Sequence, residues 1–389
     1  MRSSTENGDE PVLVWRDGHV GRITVNRPRA INALTHPMVR HIDEALTAWE
    51  ADDAIRVVLV TGAGERGLCA GADIRAIYED VRGSLALSGF AQASQAFFRD
   101  EYRLNAHIAA YRKPYIAVMD GITMGGGVGI SAHGSVRIVT ERSTVAMPET
   151  LIGLVPDVGA TYLLSRAPGE IGTHLALTGA SIGASDAILC RLADHYVPAA
   201  RIDELIDDLA AEAQTEADPV QAVRRHAEPA PHGELAAQRS WIDACYAADP
   251  DGDPARDTRG AGDTVERIVA RLEADGSAAA KETAEQIGGR SPTALKAALR
   301  SMRTAGRLAS LEAVLQQEYR VSCAFLSHPD LVEGVRAQII DKDRRPRWSP
   351  PRLDQVAQAD VDRCFAPPFG GELTFGRSPA NGTETEQSR

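Results

Sequence analysis

Lysine is scarce in this chain of 389 residues, where it occurs only at Lys113, Lys281, Lys296 and Lys342. The 54 acidic side chains outnumber the 42 basic ones, and the formal net charge is -12. This balance excludes a general polyanion-binding function, because non-specific affinity for nucleic acid comes from clustered Lys and Arg. A small anionic ligand remains compatible with it, since such a ligand needs only a local basic patch.

Cysteine is also scarce, and its five positions form no CxxC or CxxH pair. The spacing therefore predicts neither a zinc site nor a disulfide framework, and it favours a reducing, cytoplasmic location. No run of about 18 apolar residues is present, and the first residues lack the apolar segment of a signal peptide. We therefore expect a protein that is neither exported nor inserted in a membrane.

Hydrophobic residues make up 43% of the chain, which is enough for a large core. An Asp-Gly pair between two apolar runs predicts a β-hairpin over residues 12–25, because these residues supply the positive φ of a tight turn. Apolar residues at helical spacing follow over 37–49, and a β-branched strand follows over 55–61. The remaining elements of this half are one long helix with Phe90, Phe97, Phe98, Tyr102 and Ile108, a strand over 114–120, and a helix that begins at 125–127.

This alternation of strands and helices predicts an α/β fold. After about residue 200 the pattern becomes helical, charged and alanine-rich, with no further strong strand signal. The Gly/Pro/Asp-rich stretch 249–262 is expected to be an exposed loop; its DxD spacing lacks the Glu that closes a calcium loop, so no metal site is predicted. The expected organisation is a flexible tail over 1–11, a catalytic core over 12–200, a helical region over 201–365 and a flexible tail over 366–389.

Two glycine turns are candidates for binding an oxyanion. One is Cys69-Ala70-Gly71-Ala72-Asp73, and the other is the triple glycine within 120–129, which leads into a predicted helix. Glycine lets the backbone approach a ligand closely, and the free N–H groups at a helix N-terminus favour an anion. Each turn alone is more often a tight packing point than a catalytic element.

Two carboxylates flank a Gly153/Pro156 break, and they are the strongest candidates for chemistry. Glu149 can act as a general base towards water or as a nucleophile, and burial would raise its pKa into the working range. The structural alternative is an acid in the first turn of a helix after Pro148. For Asp157 the structural alternative is a turn residue after proline.

These motifs, in this order, resemble the crotonase (enoyl-CoA hydratase/isomerase) superfamily of acyl-CoA enzymes. The resemblance implies a crotonase (ClpP/crotonase-like) spiral of βα units with a helical C-terminal region. It assigns the two oxyanion N–H donors to Ala72 and Gly126. It assigns the catalytic carboxylate to Glu149, as general base or as an anhydride-forming nucleophile.

Within the superfamily the motif resembles the 3-hydroxyisobutyryl-CoA hydrolases. Pro156-Asp157 matches the hydrolases, whereas Gly129 replaces a glutamate that hydratases carry after the triple glycine. Asp157 would orient a 3-hydroxyl or assist proton transfer. Further similar segments lie at 289–296, 318–320, 333–337 and 340–348, so that the resemblance spans most of residues 12–356. It implies hydrolysis of a 3-hydroxyacyl-CoA thioester, most simply 3-hydroxyisobutyryl-CoA in valine degradation.

The same resemblance assigns the coenzyme A contacts. They are Arg27, Ala70, Asp73 and Ile74, with Lys296 and Lys342 as candidate partners of the phosphates. No metal or redox cofactor is required, because coenzyme A enters as part of the substrate. In related crotonases the helical region contributes to subunit contacts, so a homo-oligomer is one alternative for the assembly.

Two other functions stay open on the sequence. The first is an enoyl-CoA hydratase or isomerase on the same fold, which the glycine at position 129 disfavours. The second is a non-catalytic acyl-CoA-binding protein, which the intact Glu149/Asp157 pair disfavours. Release of free thiol from an acyl-CoA distinguishes the three.

Overall fold

The computed structural model describes residues 10–86, 90–215, 217–248 and 264–375. Its strands are β1 (Val12–Asp17), β2 (Val20–Val25), β3 (Val57–Gly62), β4 (Tyr115–Val118), β5 (Ile122–Met124), β6 (Val136–Val139), β7 (Thr144–Ala146) and β8 (His195–Tyr196). The helices of the first half are α1 (His36–Glu50), α2 (Ile74–Ala86), α3 (Gln92–Ala109), α4 (Gly126–Ser131), α5 (Ala160–Leu164), α6 (Ile171–Thr178) and α7 (Ala184–Leu189).

The helices of the second half are α8 (Ile202–Glu212), α9 (Val220–His226), α10 (Leu235–Tyr246), α11 (Val265–Asp275), α12 (Ala278–Gly288), α13 (Pro292–Ala305), α14 (Leu311–Phe325), α15 (Pro329–Val335) and α16 (Gln358–Cys364). Short 3₁₀ helices lie at Pro28–Ala30, Glu149–Ile152, Ala199–Arg201 and Leu353–Gln355, and a π-helical turn lies at Arg336–Ile340.

The main sheet has the strand order β1-β2-β3-β4-β6-β8. The hairpin β1–β2 is antiparallel, as its Asp-Gly turn predicts, and every other neighbour pair in this sheet is parallel. A second parallel pair, β5–β7, lies beside it and carries the chain from the sheet into the glycine turn that precedes α4. The predicted α/β architecture is therefore the observed one.

Alternate residues of the central strands face two different apolar clusters. In β3, Val58 and Val60 belong to the main core, whereas Val57 and Leu59 face a second cluster. Helices α8 and α9 close that second cluster with Leu205, Leu209, Ala222 and Val223. The side-chain period of two explains this division, since successive residues of a strand point to opposite faces. The main core continues without a break into the helices after residue 264.

The long helix expected around Phe97, Phe98, Tyr102 and Ile108 is α3. A separate helix before it, α2, was not expected from the sequence. Phe90 lies before the first turn of α3, and its ring contacts that of Phe369 with centroids 5.8 Å apart. After β8, the described part of the chain is helical, as predicted.

The expected flexible tail over 366–389 is wrong for residues 366–375, which are packed on the body of the protein. Leu373 is fully buried, and its carbonyl accepts a hydrogen bond from Gln316 at 3.0 Å. Glu372 pairs with Arg320 on α14 at 3.0 Å. One buried leucine and one ion pair are too sparse to give a periodic signal, so the pattern indicated a tail. Residues 376–389, 1–9 and the loop expected at 249–262 lie outside the described residues.

Candidate active site

The two glycine turns and the segment that carries Glu149 meet at one cavity of about 290 Å³. Its walls are mostly apolar, and the polar side chains among them are three carboxylates and one amide. The lining residues are Ala70, Gly71, Ala72, Ile74, Ile77, Phe98, Glu101, Gly125, Gly126, Pro148, Glu149, Leu151, Ile152, Leu154, Asp157, Val158, Gln338 and Ile339. An apolar pocket with a few convergent polar groups is the usual form of a small-molecule site.

Carboxylates lie close to the backbone at glycine positions 125 and 126. Gly125 has φ of 50°, and a Cβ on it would lie 3.0 Å from Glu149 Oε1. A Cβ on Gly126 would lie 2.5 Å from Glu101 Oε1 and 3.4 Å from the backbone N of Ala72. The turn thus brings two acids and two backbone N–H groups to the same place.

The backbone around Ala72 leaves its N–H free of the local strand pairing. Leu34 N–H donates to Gly71 O at 2.8 Å, and Asp73 N–H donates to Leu34 O at 2.8 Å. These two bonds flank Ala72 and exclude its own N–H from the bridge with Leu34. Gly126 is the first residue of α4, so its N–H has no partner within the helix. Both groups are arranged as a pair of donors that can stabilise a developing oxyanion.

Glu149 is the first residue of a 3₁₀ helix, as the structural alternative for this acid requires, yet its carboxyl group faces the cavity. The side chain is buried, and within the described residues its Oε2 atom has no hydrogen-bond partner. Burial, and next the charge of Asp157, raise the pKa of Glu149 well above its usual range. A carboxyl group of this kind is a stronger base once it has lost its proton.

Asp157 is also buried and lines the cavity, but its environment differs from that of Glu149. Burial raises the pKa of Asp157 to about 6, and a hydrogen bond from the hydroxyl of Tyr102, at 2.6 Å, opposes that rise. The backbone after it turns through Val158 and Gly159, which both have positive φ. Because the Tyr102 hydroxyl donates to Asp157 whereas Glu149 Oε2 has no partner among the described residues, a negative charge is better stabilised on Asp157 than on Glu149.

Glu101 is a third carboxylate in the cavity, and the sequence motifs did not identify it. It lies on α3 with only 1% of its surface exposed, and its Oε1 atom has no hydrogen-bond partner among the described residues. Burial, and next the charge of Asp157, raise the pKa of Glu101 well above its usual range. One signal for it exists in the sequence: Glu101 lies at helical spacing from Phe97, Phe98 and Leu104, and so places an acid on the buried apolar face of α3.

Of the expected coenzyme A contacts, Ala70 and Ile74 line the cavity. Arg27 and Asp73 do not line it and pair with each other at 2.8 Å; Arg27 also donates to the carbonyl of Ala33 at 2.6 Å. This arrangement stabilises the turn that holds the Ala72 segment.

The two lysines expected near the phosphates lie outside the cavity lining. Lys296 is paired with Glu266 on α11 at 2.6 Å. Lys342 is exposed and follows the π-helical turn that contributes Gln338 and Ile339 to the wall.

Gly129 has no room for a side chain. A Cβ at this position would lie 2.8 Å from Asn105 Nδ2 and 2.9 Å from Val158 Cβ, and Gly129 does not line the cavity. The nearby Ser131 and His133 do not bond to each other. Ser131 bonds to the backbone carbonyl of Gly127, and His133 bonds to that of Val158.

Three general properties of the described residues bear on cofactors and location. No group of three or more His, Cys, Asp or Glu side chains within these residues is arranged to hold a metal ion. No helix among them has the length and apolar character that a bilayer crossing requires. All five cysteines lie in the described part; they are free and buried.

The chain resembles known proteins over most of its length. Residues 20–365 match the family described as enoyl-CoA hydratase/isomerase. A curated zebrafish (Danio rerio) protein named 3-hydroxyisobutyryl-CoA hydrolase, mitochondrial, is 42% identical over 93% of this chain and 91% of its own length. The human protein of the same name is 38% identical over 96% of this chain and 93% of its own length.

Two solved structures are also similar. A structure described as a carnitinyl-CoA dehydratase from Mycobacterium thermoresistibile has 51% identity and a TM-score of 0.85, covering 95% of this chain and 100% of that one. A structure described as an enoyl-CoA hydratase from Rhodobacter sphaeroides 2.4.1 has 40% identity and a TM-score of 0.81, covering 94% and 100%. The fold expected from the sequence motifs is therefore confirmed.

Proposed function

Because this chain belongs to the enoyl-CoA hydratase/isomerase (crotonase) family, we propose that it hydrolyses a 3-hydroxyacyl-CoA thioester, with 3-hydroxyisobutyryl-CoA as the substrate. The observation that carries the proposal is the convergence of Glu149, Asp157 and the N–H groups of Ala72 and Gly126 on one cavity. The hydrolase name of relatives that are about two-fifths identical over nearly the whole chain supports the same substrate.

The thioester carbonyl binds against the glycine turn. Its oxygen becomes negative when the carbonyl carbon is attacked, and the N–H groups of Ala72 and Gly126 donate hydrogen bonds to that charge. Preorganised donors of this kind are usually the largest catalytic contribution, since they need no reorganisation during the reaction. Glycine at 126 suits this geometry because a side chain there would have to displace the Glu101 carboxyl group.

Glu149 acts as the general base. It takes a proton from water while the water oxygen bonds to the carbonyl carbon, and the carbon–sulfur bond of the resulting intermediate then breaks. The electron pair leaves on sulfur, and a thiol with a pKa of about 8.5 departs with little need for protonation. The products are the free 3-hydroxy acid and coenzyme A, with no net change in oxidation state, so no metal or redox cofactor enters the proposal.

Asp157 supplies recognition of the 3-hydroxyl group. It lies eight residues after Glu149 at the same cavity, and its ionised form accepts a hydrogen bond from a hydroxyl. A site with a buried acceptor discriminates strongly against an analogue that lacks the matching donor, because the acceptor is then left unpaired. The acyl group is thus held by Asp157 at one end and by the glycine turn at the other.

The deciding experiment supplies the purified protein with 3-hydroxyisobutyryl-CoA and with crotonyl-CoA. We expect free thiol, detected with a colorimetric thiol reagent, from the first substrate and only residual loss of the ultraviolet absorbance of the second. Rapid hydration of crotonyl-CoA without thiol release from any 3-hydroxyacyl-CoA would overturn the proposal. A folded, CoA-binding protein that performs neither reaction would indicate a non-catalytic role.

Hydration is the second candidate, and one observation favours it. Hydratases use two carboxylates around one water. Gly129 does not line the cavity and supplies no carboxylate, whereas Glu101 lines it and supplies one. The similar solved structures are also named for dehydratase and hydratase activities. We rank this function below hydrolysis because the curated relatives carry the hydrolase name and because Gly129 has no room for the carboxylate that hydratases carry at this position. A cytoplasmic location stays a prediction of the sequence, since those relatives are named mitochondrial.

A further inference from the structure

The hydroxyl group of Tyr102 donates a hydrogen bond to Asp157 from outside the residues that line the cavity. Tyr102 is fully buried on α3, does not line the cavity, and places its oxygen 2.6 Å from Asp157 Oδ2. The same oxygen is 2.8 Å from Ser322 Oγ, on α14. Asp157, Tyr102 and Ser322 therefore form a buried chain of hydrogen bonds that links the loop after Pro156 to the C-terminal helical region.

Proton counting fixes the direction of these bonds. A tyrosine hydroxyl carries one proton, so it can donate to only one of its two neighbours. When Asp157 is ionised, Tyr102 donates to the carboxylate and Ser322 donates to Tyr102. When Asp157 is protonated, the carboxyl group can donate to Tyr102, which then donates to Ser322. The chain can thus hold the Asp157 carboxyl in one orientation in both protonation states.

The hydrogen bond from Tyr102 matters because Asp157 lies among several other buried acids, any of which could carry the negative charge. The ionisable groups around Asp157 are Glu101 and Tyr102 on α3, Glu149 on the 3₁₀ helix, Glu318 on α14, and His133, which bonds to Val158 O. Glu318 is satisfied by Gly159 and Thr161, whereas Glu101 and Glu149 each keep a buried oxygen without a partner among the described residues. Burial lowers the pKa of His133 to about 4, so that ring is neutral near pH 7.

We propose that Tyr102 is a positioning residue that fixes the first negative charge of the Glu149/Asp157 pair on Asp157, with Ser322 completing the chain. Glu149 then ionises after Asp157, and its ionised form is the stronger base of the two. This inference rests on the proposed function only for its kinetic readout. The hydrogen-bond chain and the distribution of charge are properties of the protein alone.

Tyr102→Phe removes the hydrogen-bond donor and Asp157→Asn removes the acid, and the two variants should change the pH dependence of kcat/KM in opposite directions. In Tyr102→Phe the ionised Asp157 loses a hydrogen bond, so the ionisation of Asp157 moves to higher pH by about one unit; because the active form needs both acids ionised, the steep two-proton part of the acidic limb of kcat/KM moves to higher pH with it. In Asp157→Asn, Glu149 loses a neighbouring negative charge, so the limb moves to lower pH. A loss of packing alone lowers activity without such opposite shifts, which separates the positioning role from a structural one.

The matched control is Tyr246→Phe. Tyr246 is a fully buried tyrosine on α10 whose hydroxyl bonds to His174 Nδ1 at 3.0 Å, away from the cavity lining. We expect it to lose stability like Tyr102→Phe while its pH profile stays that of the wild type. Ser322→Ala keeps the tyrosine and removes the second bond, so it should shift the limb in the direction of Tyr102→Phe but by less; it also serves if Tyr102→Phe does not fold.

A second measurement makes the inference independent of the reaction. The carboxyl carbon of ¹³C-labelled Asp157, assigned by comparison with Asp157→Asn, is titrated by NMR in the wild type, Tyr102→Phe and Ser322→Ala. A titration at higher pH in the two variants supports the proposal even if the wild type releases no thiol, in which case only the proposed function fails. An unchanged Asp157 titration in the folded variants overturns the proposal whatever the activity.

Discussion

Glu318 on α14 accepts hydrogen bonds from the backbone N–H of Thr161 at 3.0 Å and from its hydroxyl at 2.6 Å, across 157 residues of sequence. A third bond, from Gly159 N–H at 2.6 Å, completes the environment of this fully buried carboxylate. Burial raises the pKa of Glu318 to about 8. The C-terminal helical region therefore holds the loop that carries Asp157, and it is part of the active-site structure.

Glu149→Gln tests the general base. The amide cannot take a proton from water, so kcat should fall by at least about a hundredfold, the usual contribution of a general base. Binding of coenzyme A should be largely kept, because the shape of the cavity is preserved. Glu204→Gln, at an exposed acid on α8, is the control and should be unchanged. Near-normal turnover by folded Glu149→Gln protein would remove Glu149 from the mechanism.

The pH dependence of the wild type follows from the shifted acids. Burial and Asp157 raise the pKa of Glu149 well above its usual range, and a base must be deprotonated to act. We therefore expect kcat/KM to rise with pH through a range above the ordinary carboxyl pKa of about 4. Asp354→Asn, at an exposed acid, should leave the profile unchanged. A plateau already reached at pH 5 would contradict the raised pKa.

Asp157→Ala tests recognition of the 3-hydroxyl group. Only substrates with that hydroxyl lose a hydrogen bond, so 3-hydroxyisobutyryl-CoA should lose about tenfold more in kcat/KM than isobutyryl-CoA. The measurement is the ratio of the two values in variant and wild type. An equal loss for both substrates would assign Asp157 to proton transfer or to loop structure.

Gly129→Ala tests whether position 129 can hold a side chain. The new Cβ would collide with Asn105 and Val158, so we expect a loss of about 1–3 kcal/mol in the free energy of unfolding. Gly83→Ala on α2 is the matched control, since a Cβ there meets nothing within 4 Å. It should gain about 0.5–1 kcal/mol, as alanine favours a helix over glycine. Equal stability of the two variants in denaturant unfolding would show that the space around Gly129 adapts freely.

Truncation tests the packed segment before residue 376. A chain that ends at 368 loses Leu373 and the Glu372–Arg320 pair, and we expect a cost of about 2 kcal/mol or more, mainly from the buried leucine. A chain that ends at 375 retains these contacts and serves as the control. Equal denaturation midpoints for the two truncations would mean that the contacts of Leu373 add no stability.

The sequence by itself determined the local features of the protein. Apolar, β-branched runs located the main strands, the Asp17-Gly18 pair located the hairpin, and the spacing of Glu149 and Asp157 after the triple glycine identified the family that the comparisons confirmed. Such signals can be recognised because each is carried by residues within one or two elements. Within an element, the backbone geometry determines the side-chain direction from the spacing of residues in the sequence.

Only the tertiary structure decided which distant groups complete the site. Glu101 reaches Gly126, and Tyr102 bonds both to Asp157, 55 residues later, and to Ser322, 220 residues later. The tail segment around Leu373 is likewise held by contacts with a distant helix. Helix packing sets these contacts, and burial sets the pKa of each acid; neither quantity is a property of local sequence, so no motif could supply them.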